Sequence, residues 1–201
     1  MTPKTLWITG WAIPPVWFSR QVCTVFPDDP GEVRLPGPDC FEGIHWSGYD
    51  RFVGYSFGAF WLLQNAPEGV RDKLRVIAPF SAFCAEAGRG GRVLTTQVKV
   101  LRRWLAREPL AALGDFYARA GVSLTVPTEL PAPVETLLWG LDMMAAGKLP
   151  DSVCGTVPGV IGASDALLDA ARITAQFAGV KTVPGTHDLL PLLRALKQHG
   201  L

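Results

Sequence analysis

The chain has 201 residues, a length that suits one domain with a sizeable hydrophobic core. Its formal net charge is +1, so no overall charge draws it to nucleic acid or to an anionic membrane, and we expect neither as a partner. Although 48% of the residues are hydrophobic, Gly, Pro or a charge interrupts every stretch of the ~20 residues that a membrane-spanning helix needs. We therefore predict a single domain, 1–201, that is soluble and monomeric.

Short apolar runs alternate with stretches of helical periodicity along most of the chain. This alternation is typical of a sheet covered by helices, so the predicted fold class is α/β with a mostly parallel central sheet. The predicted strands are rich in β-branched or aromatic residues and are 5–8, 23–26, 52–55, 74–78, 157–161 and 180–183. The predicted helices are 57–65, 166–177 and 189–198.

Residues 87–149 depart from the alternation and predict a small helical cap inserted into the domain. This segment contains two or more helices and a Pro-rich joint at 126–133. One face of the first helix carries Leu94, Val98, Leu101 and Leu105, and another carries Lys99, Arg103 and Arg107. The spacing predicts an amphipathic helix with a basic side.

The chain start and the cysteines bear on location. Gly10, Pro14 and Pro15 interrupt the first apolar run before any small-residue cleavage site, so a secretion signal is not indicated. The cysteines lack the paired spacing of a zinc site or of a disulfide framework, and they are Cys23, Cys40, Cys84 and Cys154. We therefore predict reduced cysteines in a cytoplasmic protein.

Gly54-Tyr55-Ser56-Phe57-Gly58 matches the pattern Gly-x-Ser-x-Gly, in which a serine occupies a tight turn between a strand and a helix. A predicted strand enters this turn and a predicted helix leaves it, as the pattern requires. The glycines relieve crowding and so leave the hydroxyl exposed. The sequence thus predicts Ser56 as a nucleophile, against the alternative of a surface serine in a Gly-rich turn.

A serine hydroxyl becomes a good nucleophile when a base takes its proton, and imidazole is the usual base near neutral pH. His187 follows the last predicted strand and comes after the serine and an acid in the chain order that such sites use. His45 precedes the serine strand and His199 lies near the end of the sequence. His187 is therefore the predicted base, and its alternative role is a solvated loop histidine.

The acid that orients the imidazole should lie at the end of an earlier strand. Asp165 follows the predicted strand 157–161 and precedes a predicted helix. Its alternative role is a helix N-cap. The rivals are less well placed, because Asp169 lies inside the predicted helix and Asp188 adjoins the histidine itself.

Two backbone N–H groups are needed to hold the negative oxygen that forms when a carbonyl is attacked. Phe57, the residue after the serine, supplies the first. We predict that Trp11 supplies the second, because Gly10 lets the backbone turn toward the serine. The alternative role of Trp11 is that of a core residue, and the two roles are compatible.

These residues resemble the α/β-hydrolase family across nearly the whole chain, and more narrowly the pimeloyl-acyl carrier protein methyl ester esterases of biotin synthesis. The narrower resemblance lies in Gly10-Trp11-Ala12 leading to Trp17, in the Ser56 turn, and in Ala78-Pro79-Phe80-Ser81-Ala82 running into the predicted cap. The sequence departs from the family where Thr9 replaces a common His and Ala12 replaces a Gly.

The resemblance implies an α/β-hydrolase fold with Ser56, Asp165 and His187 as catalytic residues and no metal or organic cofactor. It also implies removal of a methyl group from a pimeloyl thioester, with the cap gripping an acidic acyl carrier protein. Arg102, Arg103 and Arg107 are the residues expected to bind the carrier.

Charge supports a carrier partner to a limited degree. Residues 87–124 hold a local excess of five positive charges on a chain whose total is +1. The bases are Arg89, Arg92, Lys99, Arg102, Arg103, Arg107 and Arg119, and the acids are Glu108 and Asp115. Such an excess steers an acidic partner, although a solvated helix face would look the same.

Other functions remain open because a fold does not fix a substrate. A general small-acyl carboxylesterase, a thioesterase or a lyase would use the same kind of site. A catalytically inactive binding protein on the same fold is the alternative from a different class.

Overall fold

The structure, a computed structural model, describes residues 4–29 and 31–200, so residues 1–3, 30 and 201 of the predicted domain 1–201 lie outside it. The described residues form one six-stranded sheet in the order β2-β1-β3-β4-β5-β6. Every neighbouring pair of strands is parallel, which confirms the predicted α/β class. The strands are β1 (Thr5–Ile8), β2 (Glu32–Arg34), β3 (Arg51–Tyr55), β4 (Leu74–Ile77), β5 (Gly159–Gly162) and β6 (Val180–Val183).

Helices cover both faces of the sheet. Because parallel crossovers are right-handed, the connections β1-α1-β2 and β3-α2-β4, which run in opposite directions along the sheet, place their helices on opposite faces. Helix α8 packs against α1 and so shares its face. The helices are α1 (Pro15–Val25), α2 (Phe57–Asn65), α3 (Thr95–Leu105), α4 (Pro109–Ala120), α5 (Val134–Ala146), α6 (Asp151–Cys154), α7 (Ala170–Gln176) and α8 (Leu189–Gln198).

The core lies between the sheet and these helices. All four residues of β1 and all four residues of β5 are buried, as expected for strands that are covered on both faces. Large aromatic side chains fill the space, among them Trp7, Phe18, Phe52 and Phe60, each fully buried. This packing holds the sheet rigid, including the edge from which the loops described below extend.

The predicted strand 23–26 is wrong, because these residues form the end of α1 and its cap. Phe18, Val22 and Val25 are buried at spacings of four and three, which is the periodicity of a helix. The β-branched residues nearby favoured a strand and led to the wrong prediction. The second strand is instead Glu32–Arg34, a half-buried strand at the edge of the described sheet, where β1 is its neighbour. Its residues are mostly polar, so no apolar run marks it.

Of the four α-helices between β4 and β5, three lie inside the range 87–149 that was predicted as a cap. We call residues 95–146, with α3, α4 and α5, the helical segment. Helix α3 packs against both α4 and α5. The Pro-rich joint predicted at 126–133 is a loop between α4 and α5. Within the described ranges, no helix is both long enough and apolar enough to span a membrane.

Candidate active site

Four loops meet at the carboxyl edge of the sheet. They follow β1, β3, β5 and β6, and because all strands are parallel their carboxyl ends lie at one edge. The chain leaves β1 for β2 on one side, and β3 then pairs with β1 on the other side. Such a reversal opens a crevice between β1 and β3, the place where parallel sheets bind ligands.

Ser56 occupies a strained turn between β3 and α2. Its φ of 54° and ψ of −119° are rare for a residue with a side chain and cost on the order of 1–3 kcal/mol. The turn packs so tightly that a Cβ at Gly58 would lie 2.1 Å from the carbonyl oxygen of Thr9, and a Cβ at Gly54 would lie 2.5 Å from Cα of Ala59. The two glycines of the pattern are therefore required by close backbone approach.

The structure brings Ser56, His187 and Asp165 together. His187 Nε2 lies 2.9 Å from Ser56 Oγ, and His187 Nδ1 lies 2.6 Å from Asp165 Oδ2. Because an ionised carboxylate can only accept hydrogen bonds, Nδ1 carries the ring proton and Nε2 accepts from the serine hydroxyl. Ser56 is 8% exposed, His187 2% and Asp165 0%, so this chain of hydrogen bonds is shielded from water.

Asp165 uses its two oxygens for different purposes. Oδ1 accepts the backbone N–H groups of Leu167 at 2.9 Å and Leu168 at 3.0 Å, while Oδ2 faces the imidazole. The N-cap of α7 is Asp169, whose side chain accepts from the N–H of Arg172. Asp165 therefore fixes its own loop and remains free to orient His187, and the helix-cap role falls to another residue.

Tyr55 holds the histidine loop in place, a role that the sequence analysis missed. Its hydroxyl donates to the carbonyl oxygen of His187 at 2.6 Å. Full burial, and then the nearby charges of Asp165 and Asp188, raise the pKa of Tyr55 well above its ordinary value, so the hydroxyl keeps its proton. The sequence held one clue to this role, which is that Tyr55 directly precedes Ser56 at the end of the strand that became β3.

The two other histidines and Asp188 do not join the hydrogen bonds of Ser56. His45 is exposed and precedes a short turn before β3, and His199 is exposed at the end of α8. Asp188 accepts the N–H of Ser123 with its Oδ1 at 2.9 Å. None of the three takes part in the Ser56 hydrogen-bond chain.

The backbone N–H groups of Phe57 and Trp11 are the predicted donors to the negative oxygen. The N–H of Phe57 belongs to the first residue of α2, where no helical acceptor exists and the helix dipole favours negative charge. Trp11 lies in a turn closed by the Ile13 N–H, which donates to the Gly10 carbonyl oxygen at 3.2 Å. Across residues 4–29 and 31–200, neither the Phe57 nor the Trp11 N–H finds an acceptor.

The side chain of Trp11 is a core residue, as the alternative interpretation expected, and the donor role of its backbone N–H stays a prediction. It is 3% exposed, and its indole N–H donates to the Leu137 carbonyl oxygen of α5 at 2.9 Å. Its ring meets Phe116 of α4 edge to face, with 4.7 Å between centroids. Trp11 thus ties the loop after β1 to the helical segment.

A cavity of about 490 Å³ lies among α3, α4 and α5. Most of its walls are apolar, and Phe116 and Leu167 are among the lining residues. Phe116 packs on Trp11, and Leu167 donates its N–H to Asp165, so the cavity adjoins the site although Ser56 does not line it.

Much of the local positive charge is paired with acids from other parts of the chain. The guanidinium of Arg102 donates two hydrogen bonds to the carboxylate of Asp142 in α5, at 2.6 and 3.0 Å. Further pairs are Arg119 with Asp115, Arg92 with Asp169, and Arg89 with Asp151. The pair of Arg119 with Asp115 lies within α4, whereas the other three acids lie outside residues 87–124. In the part of the chain that the structure describes, the bases of this region without an ion pair are Lys99, Arg103 and Arg107.

The three buried cysteines, Cys40, Cys84 and Cys154, offer no reactive thiolate to the site. Burial raises the pKa of the Cys40 thiol to about 11 and also raises the pKa values of Cys84 and Cys154. These thiols keep their protons near neutral pH and are poor nucleophiles and poor metal ligands. No group of three His, Cys, Asp or Glu side chains that could hold a metal occurs among the described residues.

No protein-family model matches the sequence, and no curated protein matches it. Solved structures do match. An esterase (EaEST) from Exiguobacterium antarcticum is 15% identical with a TM-score of 0.67, covering 92% of this chain and 85% of that one. A thermophilic esterase from Thermogutta terrifontis is 12% identical with a TM-score of 0.62, covering 98% and 86%.

BioG from Haemophilus influenzae is 15% identical with a TM-score of 0.54, covering 91% of this chain and 87% of that one. At such identities a likeness establishes architecture alone. The parallel sheet, the strained serine turn after β3 and these matches together show that the chain has the α/β-hydrolase fold.

Proposed function

We propose that this chain is a serine hydrolase of carboxylic esters, with Ser56 as nucleophile, His187 as base and Asp165 as the acid that orients the imidazole. The observation that carries the proposal is the buried hydrogen-bond chain, 2.9 Å from serine to imidazole and 2.6 Å from imidazole to carboxylate. The esterase names of two proteins with the same fold add support.

The mechanism is acyl transfer in two steps. Ser56 Oγ bonds to the ester carbonyl carbon as His187 Nε2 takes its proton, and the negative oxygen accepts from the Phe57 and Trp11 N–H groups. The carbon–oxygen bond to the alcohol then breaks, and His187 gives the proton to the departing alcohol. Water attacks the acyl-serine in the same way, which releases the acid and restores Ser56.

We further propose that the ester is the methyl ester of a pimeloyl group on an acyl carrier protein. The sequence resemblance described above supports this substrate. The apolar cavity beside the site has room for an acyl chain. Lys99, Arg103 and Arg107, which have no ion pair with any described residue, give α3 and the turn after it a positive surface for an acidic carrier. Arg102 contributes less, because Asp142 offsets its charge.

A comparison of substrates tests the proposal. The purified protein is given a short nitrophenyl ester and, separately, the pimeloyl methyl ester on its carrier, with Ser56→Ala as the blank. We expect hydrolysis of both esters by the wild type alone. Hydrolysis of only the small ester would indicate a general carboxylesterase. Inertness toward both, together with no labelling of Ser56 by a fluorophosphonate, would indicate a binding protein.

A further inference from the structure

We infer that Tyr117 is a positioning residue for the hydrolysis, because its hydroxyl anchors a chain of hydrogen-bonded peptide groups that ends at the Trp11 N–H. The inference rests on the proposed function, in which that N–H binds the negative oxygen of the reaction. Tyr117 does not touch the substrate. It acts through the turn 10–13.

The first link joins α4 to the turn. The hydroxyl of Tyr117 donates to the carbonyl oxygen of Ala12 at 2.6 Å. Both residues are buried, Tyr117 being 2% exposed and Ala12 1%. Burial also raises the pKa of the Tyr117 hydroxyl, so it acts as a donor throughout the neutral range.

The second link crosses two peptide groups. The Ala12 carbonyl and the Ile13 N–H belong to one peptide group and point in opposite directions, because no described peptide bond is cis. The Ile13 N–H donates to the Gly10 carbonyl at 3.2 Å, and that carbonyl shares its peptide group with the Trp11 N–H. The hydroxyl of Tyr117 is thus connected through two peptide groups to the Trp11 N–H.

This connection has two effects on the Trp11 N–H. Hydrogen bonds in series polarise one another, so the terminal N–H becomes a better donor. The bonds also fix its direction. Ala12 has a φ of 58°, a conformation that favours glycine and persists only where the surroundings hold it. Tyr117 holds the turn from α4, and the Leu137 carbonyl holds the Trp11 indole from α5.

A second donor reaches the same peptide group. The buried Thr9 hydroxyl donates to the Gly10 carbonyl at 3.2 Å, alongside the Ile13 N–H. Removing this hydroxyl weakens the polarisation of the Trp11 N–H without touching α4. Thr9 therefore provides an independent variant for testing the same chain of bonds.

The experiment compares Tyr117→Phe with Tyr49→Phe. Tyr49 is a matched control, since it is also buried and its hydroxyl donates to Glu32, the first residue of the edge strand β2. For Tyr117→Phe we expect kcat on the small ester to fall about tenfold, less than the ~10²–10³-fold loss on removing an oxyanion donor itself, with KM nearly unchanged. Tyr49→Phe should keep wild-type kcat.

A trifluoromethyl ketone separates this role from a merely structural one. It adds to Ser56 as a hemiketal whose oxygen takes the place of the reaction's negative oxygen. In Tyr117→Phe the ketone should bind more weakly by the same factor as the loss in kcat. The pH at which the bound hemiketal loses its proton, followed by fluorine NMR, should rise. Wild-type kcat and ketone affinity in this variant would overturn the inference.

Two further outcomes remain decisive. If Tyr117→Phe does not fold, Thr9→Val replaces it, with the same shift in hemiketal titration expected and an unshifted titration overturning the inference. If the wild type neither hydrolyses the ester nor binds the ketone, the proposed function fails and the inference fails with it. An active wild type with unaffected variants rejects the inference alone.

Discussion

At the sheet edge, Asp165 and His187 are buried and each of their polar side-chain atoms has a named partner. By contrast, Arg103 on α3 and Arg107 in the turn after it are exposed and have no ion pair to any described residue. The two regions should therefore respond differently to substitutions. At the buried edge a single atom decides the geometry, because water cannot replace a lost partner. On the helix surface only the total charge matters, because salt and water screen each side chain.

Ser56→Ala should have the largest effect. The variant loses the nucleophile but keeps a side chain of similar size in the same strained turn, so kcat should fall by about 10⁶-fold while the protein stays folded. Ester hydrolysis and thermal unfolding measured together check this. Retained turnover with an unchanged melting temperature would remove Ser56 from the mechanism.

Asp165→Asn should come next, with a loss in kcat of up to ~10⁴-fold, because an amide cannot hold the imidazole as a carboxylate does. The amide oxygen can still accept from Leu167 and Leu168, so stability in urea should change little. Asp165→Ala provides the contrast, because it also leaves those two buried N–H groups without an acceptor. This loss should lower the unfolding free energy by about 1–3 kcal/mol. A normal rate in Asp165→Asn would place the acid elsewhere.

Tyr55→Phe should change the response to alkali. The folded protein raises the pKa of Tyr55, so its stabilising effect is complete below the unfolded value of about 10 and is lost as pH rises above it. The unfolding free energy of the wild type should therefore fall more steeply than that of the variant between about pH 9 and about pH 11. Urea titrations across that range measure it, and parallel curves would contradict the assignment.

The α3 surface should show the smallest effect. The double change Arg103→Glu and Arg107→Glu should raise KM for the carrier-bound ester several-fold at low salt and less at high salt, because surface charges act on encounter. A matched control is Arg20→Glu with Lys181→Glu, two exposed bases outside the helical segment. The small ester should be hydrolysed normally by both variants. Equal losses on both substrates would mean that α3 was damaged.

Local sequence patterns predicted most of the fold because buried parallel strands are continuous apolar runs. They failed at β2, whose Glu32–Arg34 is polar since only one neighbour and part of one face cover it. They failed again at the predicted strand 23–26, which ends helix α1 because Val22 and Val25 lie on the buried face of that helix. Tertiary packing overrode propensity in both places.

The site was predictable where chain order and a short motif were enough. Ser56, Asp165 and His187 all follow strands, and parallel strands bring their ends together. Contacts between distant positions were not predictable. The bond from Tyr117 to Ala12 spans 105 positions, and the pair of Arg102 with Asp142 spans 40. A local count of charge therefore overstated the positive surface of the helical segment.

The separation of Ser56 and His187 by 131 positions also bears on biosynthesis. Synthesis proceeds at about 5–20 residues per second, so the serine turn leaves the ribosome on the order of ten seconds before the imidazole. The histidine follows β6, the edge strand, and reaches the serine only when that strand has joined β5. Until then the growing chain contains Ser56 without its base, so the onset of ester hydrolysis marks the pairing of β6 with β5.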